Sequence, residues 1–426
     1  MKTLGRKTNG TNGLTGWRAG ALAAILVVIT VSTSQAQTSQ SAIDYFNRGS
    51  SWLAKGDLRR AISDYDTALA FDPELLAAYL SRAVAHERLG EMAEALADYD
   101  RALAIDPKQV EAYIFRGVAR CSAADLEGAI ADFTQALAIR PRHAKAYVNR
   151  CFARFLKKDF DGAQQDCTRA FEIEPRLVGA WNNLGLVHKE RGDLGEAFDH
   201  FSRAIRLDPR NARPWGNRGV VRWLRGEYDE AIKDCTKAVE LAPDLAEVWI
   251  NRGMVRTESG DLEGALADFQ RAIEISPNNA ESLNYRGVAR FRKGDVDGAI
   301  ADYTRAIEIE PALALAWRNR GVARWQKGDR DGALADAGKA IELDPGLADA
   351  WLCRALALEA NGELSRALAD CDQAIALNPR LASAYLVRGA LKLRQGKKQE
   401  AEQDLKAYTT LIERPRAHLG REPHTK

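Results

Sequence analysis

The sequence predicts an all-α protein made of stacked antiparallel helix pairs, and three observations carry that prediction. Proline recurs at Pro73, Pro107, Pro141, Pro175, Pro209, Pro243, Pro277, Pro311, Pro345 and Pro379, always 34 residues apart. Within each interval the apolar residues follow the three-and-four spacing of two amphipathic helices. A turn such as Gly260-Asp261 separates the two helices, and the proline ends the second one and starts the next interval. One such pair cannot bury its own apolar faces, so it must stack on its neighbours.

Taken in chain order, the first element is a leader. Residues 1–18 are polar and basic, Ala19 to Val31 is apolar, and Ser34-Gln35-Ala36 offers small residues where a signal peptidase cuts. A secretory signal peptide over residues 1–36 is expected, with cleavage after Ala36. Thirteen apolar residues reach only about 20 Å as a helix, short of the ~30 Å hydrocarbon core, so a membrane anchor is the weaker reading. No Cys follows the apolar run and no Arg-Arg pair precedes it, which disfavours a lipoprotein or a twin-arginine leader. No later segment is apolar enough to span a bilayer. The mature chain is therefore expected outside the cytoplasm, periplasmic or secreted, with no membrane span.

Residues 37–41 read as a short linker, residues 42–415 as eleven units of 34, and residues 416–426 as a disordered tail. The composition fits this plan. Of 426 residues, 46% are hydrophobic and 28% charged, which excludes wholesale disorder, and six Cys are too few for a disulfide-stapled miniprotein. The 61 basic residues barely exceed the 59 acidic ones, and the leader alone holds Lys2, Arg6, Lys7 and Arg18 without an acid. Without the leader the chain sits near −2 and has no global basic field, so no nucleic-acid partner is expected.

Counting positions from Ala42 in steps of 34, position 4 reads Tyr45, Tyr79, Tyr113, Tyr147, Trp181, Trp215, Trp249, Leu283, Trp317, Trp351 and Tyr385. Position 8 is small, position 20 is Ala in all eleven units, position 27 is Ala in the first ten, and position 32 is the proline. These residues resemble the tetratricopeptide repeat (TPR) family, over the whole chain except its ends. The resemblance implies a right-handed superhelical α-solenoid whose first helices line a concave groove that takes up peptide or protein ligands.

One column departs from the family pattern. Position 7, commonly Leu, is Arg in ten units, and position 23 is Asp in ten; the exception at both falls in unit 5, with Leu184 and His200. An antiparallel pair turning near position 15 brings positions 7 and 23 level, so an Arg–Asp salt bridge inside each unit is expected. The other reading is an acidic partner, since position 11 is also Arg in six units, for example Arg120 and Arg324. The near-constant Asp favours structure for position 7; for position 11 both readings stay open.

In the family, positions 2, 5, 6, 9, 12 and 13 face the groove. Position 6 supplies Asn47, Asn149, Asn183, Asn217, Asn251 and Asn319, amides that could hold a peptide backbone whatever its side chains, or that could bond neighbouring units instead. Position 12 supplies Phe155, Trp223, Phe291 and Trp325 as rigid aromatic anchors, and position 9 an apolar stripe that packs unit on unit or faces a partner. A chaperone-tail clamp, with a basic residue at 5 and Asn at 9, is absent: Arg318 is followed by Val322.

No phosphate loop, zinc-protease motif or nucleophile elbow appears. His188 and His200 share unit 5 with Glu196 and Asp199, but without a regular ligand spacing. The chain is expected to be non-enzymatic, without metal or cofactor. Cys151 and Cys167, at positions 8 and 24 of one unit, are the pair that could bridge, although Cys at these packing positions reads first as a small buried hydrophobe. The functional expectation is a protein-interaction scaffold. The alternatives are a holdase-like carrier of unfolded exported proteins and, further off, an enzyme with a site scattered over the groove.

Overall fold

A computed structural model describes residues 35–413, which form 22 helices and, among the described residues, no strand. The leader before Gln35 and the tail after Glu413 lie outside the described residues. The chain divides into two compact units at Arg191–Gly192, and each is described by itself.

The first unit holds α1 (Gln35–Lys55), α2 (Leu58–Phe71), α3 (Leu76–Leu89), α4 (Met92–Ile105), α5 (Val110–Ser122), α6 (Leu126–Ile139), α7 (Ala144–Leu156), α8 (Phe160–Ile173) and α9 (Val178–Arg191). The second unit starts with α10 (Leu194–Leu207), α11 (Ala212–Leu224), α12 (Tyr228–Leu241), α13 (Ala246–Ser259), α14 (Leu262–Ile275), α15 (Ala280–Lys293) and α16 (Val296–Ile309). It ends with α17 (Ala314–Gln326), α18 (Arg330–Leu343), α19 (Ala348–Ala360), α20 (Leu364–Leu377), α21 (Ala382–Arg394) and α22 (Lys398–Glu413). Odd-numbered helices are the first helices of successive repeats. The helix α1 runs through the segment expected to be a linker, so residues 37–41 are helical.

The repeat closes on itself through a small set of contacts. Position 8 is Gly in most repeats where position 24 is a large ring, with Ala83 facing Tyr99 in repeat 2: a Cβ on Gly253 would sit 2.7 Å from the Phe269 ring, and one on Gly117 the same distance from Phe133. In repeats 1, 3, 4, 7, 8 and 9 the first turn of the second helix is capped by Asp at position 16, whose carboxylate accepts from the backbone N–H of position 19, as Asp261 does from Gly264 at 2.9 Å. Between the helices, position 15 takes a left-handed backbone. Gly260 meets this with φ 91°, whereas Ala124 and Lys158 adopt it with φ 62° and 67° despite their side chains.

At the other end of each pair, position 4 holds the proline loop. The indole N–H of Trp215, Trp249, Trp317 and Trp351 donates to the carbonyl of the proline six residues earlier, at 2.9 to 3.0 Å. Along the core, Ala at positions 20 and 27 is fully buried, as in Ala265 and Ala272, so the paired helices approach closely.

Repeat 4 corrects one expectation. Cys151 and Cys167 are disulfide-bonded, with Cα atoms 5.6 Å apart, and fill the place that Gly and an aromatic ring fill in repeats 1, 3, 5, 7 and 8. The other described cysteines, Cys121, Cys235, Cys353 and Cys371, are buried and form no disulfide. Burial pushes the Cys121, Cys353 and Cys371 thiols up to about 12, which leaves them protonated and unreactive.

Candidate binding surface

The expected Arg–Asp pair is present in all ten repeats that carry it. The fork of position 7 closes on Asp at position 23 with Nε and Nη2 bonds, 2.9 and 2.7 Å for Arg252 and Asp268 and 2.8 and 2.8 Å for Arg320 and Asp336. The carboxylates are almost fully buried, and Arg320 is buried with them. The same guanidinium lies over the position 4 ring, 4.9 Å from the Trp249 centroid in repeat 7 and 4.8 Å from that of Trp317 in repeat 9.

Two further partners were not expected. The remaining nitrogen of position 7 reaches back to position 25 of the preceding repeat: Arg82 to Asp66, Arg116 to Asp100, Arg150 to Thr134, Arg218 to Ser202, Arg286 to Gln270, Arg320 to Thr304 and Arg388 to Asp372. Position 11 also turns inward. Arg120, Arg154, Arg222, Arg256, Arg290 and Arg324 each approach the same buried Asp at 2.8 to 3.0 Å. In repeat 7 Arg256 also donates to the Gly264 carbonyl at 3.2 Å. Both open readings of position 11 therefore resolve toward structure: these arginines are engaged by the repeat and do not form an acidic-ligand stripe.

The electrostatics follow from these bonds. Hydrogen bonds from Arg48 hold the Asp64 carboxyl below the usual carboxylate range, against the opposing effect of burial. For Asp404 burial acts upward, and the bonds from Arg388 and Lys392 outweigh it, so that carboxyl also lies low.

Repeat 5 lacks all three members. Positions 7, 11 and 23 are Leu184, His188 and His200. Leu184 is buried in an apolar cluster with Cys151, Cys167, Phe152, Phe155 and Val187 of the first unit. His200, in the second unit, lies 3.9 Å from Glu196.

The position 6 amides divide in the same manner. Asn47 is exposed and Asn149 half-buried, but Asn183, Asn217, Asn251 and Asn319 are buried. Asn183 donates to the Val148 carbonyl at 3.3 Å and Asn319 to the Asn284 side chain at 2.8 Å, each reaching position 5 of the preceding repeat. Asn251 packs against Gly216, again position 5 of the repeat before. These amides fasten neighbouring first helices to each other, and their burial leaves little for a ligand's backbone to meet.

The position 12 aromatics also differ among themselves. Phe155 is buried, with Phe152 and Phe160 at centroid distances of 6.3 and 6.1 Å. Trp223 is half-buried against the cores of repeats 6 and 7. Phe291 is half-buried, and Trp325 is 41% exposed. Position 9 varies too: Val84, Val118, Phe152, Val220 and Met254 are buried, while Leu186, Val288, Val322 and Leu356 are half-buried. Repeats 8 to 10 thus present an apolar strip, Val288, Phe291, Val322, Trp325 and Leu356, on the first-helix face. Arg292 and Arg394, both at position 13, pair with Glu258 at 2.5 Å and Glu359 at 3.0 Å, at positions 13 and 12 of the repeat before. Among the described residues, no cluster of His, Cys, Asp or Glu is placed to hold a metal ion, and no helix is long and apolar enough to cross a membrane.

Helix pairs of fixed length, each packed on the first helix of the next and leaving an apolar strip on the first-helix face, define a helical-repeat solenoid protein. Models of the TPR repeat match residues 253–294 and 287–328; models of the tetratricopeptide repeat match 46–110, 318–382 and 352–417, and 178–211 and 212–245. The chain belongs to the tetratricopeptide repeat family, and it is a protein-interaction scaffold of that class.

No curated protein matches the chain. Among solved structures it is similar to a tetratricopeptide repeat protein from Parabacteroides merdae, at 22% identity and a TM-score of 0.52, over 59% of this chain and 99% of that one. It is also similar to the APC/C hetero-tetramer Cut9-Hcn1, at 17% identity and a TM-score of 0.55, over 89% of this chain and 96% of that one. Both likenesses concern the fold.

Proposed function

We propose that the chain is a non-catalytic scaffold that works outside the cytoplasm and takes up a peptide or protein segment along the first-helix face of repeats 8 to 10. The observation that carries this reading is Trp325, a large ring left 41% exposed at a position where repeats 3, 4 and 7 bury their side chains. Phe291 and the half-buried Val288, Val322 and Leu356 extend it into a strip. Apolar surface of this kind binds through a few rigid aromatic anchors, and tryptophan is the residue most often found in that role. Asn47 and Asn149, the accessible amides of position 6, are secondary contacts. Export is supported by the leader and by the Cys151–Cys167 disulfide, which persists in an oxidising compartment.

The test is a peptide-array selection on the purified chain, repeated with Trp325→Ala and Phe291→Ala. Peptides selected by the native chain should lose about tenfold or more in affinity on Trp325→Ala, a change of about 1.4 kcal/mol. Equal binding to native and variant chains would sink the groove reading. Selection of many unrelated unfolded segments, still dependent on Trp325, would convert the scaffold into a carrier. N-terminal sequencing of the exported protein should begin at Gln37.

A further inference from the structure

Repeat 9 places an unpaired cation on the first-helix face. Position 5 is uncharged in every other repeat, filled by an apolar side chain, glycine or asparagine, and in repeat 9 it is Arg318 on α17. Ile250 and Leu352, at the same position in repeats 7 and 10, are buried. Arg318 is half-buried, and its Nε is shut off from solvent with no hydrogen-bond partner. Among the described residues, every other arginine that is at least half-buried forms an ion pair with a carboxylate. Arg318 forms none, not even with Glu281 or Asp349 at position 2 of the flanking first helices.

Arg318, Val322 and Trp325 follow the i, i+4, i+7 spacing and so share one face of α17, the face of the apolar strip. Burial pushes the Tyr303 hydroxyl of repeat 8 up, and the charge of Arg318 works against it. Burial likewise pushes the Cys353 thiol of repeat 10 up to about 12, again against the charge of Arg318. The guanidinium therefore stands where three repeats meet, with Phe291 of α15 on one side and Leu356 of α19 on the other. A guanidinium partly withdrawn from water and left without an acceptor is poorly solvated, and an incoming carboxylate supplies the acceptor that the fold omits.

We infer that Arg318 receives the side-chain carboxylate of an Asp or Glu in the segment that lies on the strip, an inference that rests on the strip being the binding face. Seven residues separate Arg318 from Trp325 in the sequence, about 10 Å along the helix, and an extended peptide covers that distance in about three residues. The recognised segment thus carries an acidic residue about three places from its apolar anchor. An internal residue fits better than a chain terminus, because a segment that fills the strip passes α17 and continues toward both neighbouring helices. A nucleic-acid backbone fits worse, since Arg320 and Arg324, the other arginines of α17, are committed to Asp336.

The test is an array of peptides in amidated and free-carboxyl forms, each with one fixed Leu and the other places varied, read with the native chain, Trp325→Ala and Arg318→Leu. Leucine fills position 5 in the next repeat, so Arg318→Leu should leave the melting temperature unchanged or raised, where loss of a structural arginine would lower it. Peptides bound by the native chain should be enriched in Asp or Glu within about three places of the Leu, and the enrichment should vanish on Arg318→Leu while apolar selection persists. For the strongest such peptide, replacing the acid by its amide should cost about tenfold or more in affinity on the native chain and nothing further on Arg318→Leu. Binding that depends on Trp325 but shows no acidic enrichment overturns the inference and leaves the strip standing. Enrichment kept on Arg318→Leu overturns the role of Arg318, and binding confined to free-carboxyl peptides makes a chain terminus the occupant and overturns the side-chain assignment. Binding indifferent to Trp325 removes the strip itself and the inference with it.

Discussion

Repeat 7 and repeat 5 have the same length and the same helix pattern, yet they are held by different chemistry. In repeat 7, Asp268 is almost wholly buried and accepts from both Arg252 and Arg256. In repeat 5 the three corresponding residues are Leu184, His188 and His200, and Leu184 joins the apolar cluster around the disulfide. All three positions change together, and the division between the two compact units falls in the same repeat. The comparison teaches that positions 7 and 23 behave as one interaction, while position 11 adds to it only in some repeats: Trp52 and Leu358 stand there although Arg48–Asp64 and Arg354–Asp370 are closed. A buried carboxylate needs its guanidinium partner, because losing either member of that pair strands a charge away from water.

The comparison breaks most visibly on the carboxylate. Asp268→Ala leaves Arg252 and Arg256 facing a gap and should cost about 3–5 kcal/mol in denaturant unfolding, whereas His200→Ala should cost about 1 kcal/mol or less. Equal costs would show that the triad is not the difference between the repeats. The next largest effect belongs to repeat 4, whose core supports Leu184. Cys151→Ala with Cys167→Ala removes a closure spanning 16 residues and should destabilise by about 3 kcal/mol, seen as a lower melting temperature that reducing agent reproduces in the native chain. Cys235→Ala, at a cysteine outside any disulfide, should not mimic it under reduction.

Steric closure of the regular repeat comes third. Gly253→Ala would press a methyl to 2.7 Å from the Phe269 ring and should cost about 1–3 kcal/mol, recovered in part by Phe269→Leu.

Acid sharpens the same point. The carboxyls of Asp64 and Asp404 lie below their unfolded value near 3.9, so their contribution is complete above that pH and is lost as pH falls through the folded value. Stability should therefore be flat from neutrality to about pH 5 and fall below about pH 4, and Asp404→Asn should flatten that fall. The smallest effect is conformational. Lys158→Gly relieves the left-handed strain at φ 67° and should stabilise by about 1 kcal/mol or less.

Much of this architecture was legible because each repeat rewrites the same columns. The 34-residue period fixes helix pairs, turn and loop, and the paired Arg and Asp columns fix the bridge, since two charges that recur together at level positions have little else to do. The partner at position 25 was harder to see. It is Asp at Asp66, Asp100 and Asp372, Thr at Thr134 and Thr304, Ser at Ser202 and Gln at Gln270, so no single letter holds the column, only the capacity to accept a hydrogen bond. The signal was present as a chemical class.

The burial of Asn183, Asn251 and Asn319 was not legible for a different reason. A column of amides reads alike whether first helices stand apart or touch, and the separation is decided by the small and varied residues opposite, such as Gly216 and Val148. Likewise position 12 shows four aromatics in sequence, but only packing distinguishes the buried Phe155 from the open Trp325. The disulfide was visible as a possibility, since positions 8 and 24 meet, and the choice between two thiols and one bond lay beyond spacing alone.

The backward reach of the position 7 arginine has a consequence for how the chain can change over time. Each junction asks only for an acceptor at the end of one repeat and an arginine at the start of the next, so repeats are exchangeable parts. Deleting residues 280–313 in one piece would set Arg320 beside Gln270, and the bond now made to Thr304 would simply be made again. Whole-repeat duplication or loss is thus chemically quiet at most seams. At the seam after repeat 9, where Gly338 stands at position 25, Arg354 has no side chain there to take up, and copying that repeat would copy the gap.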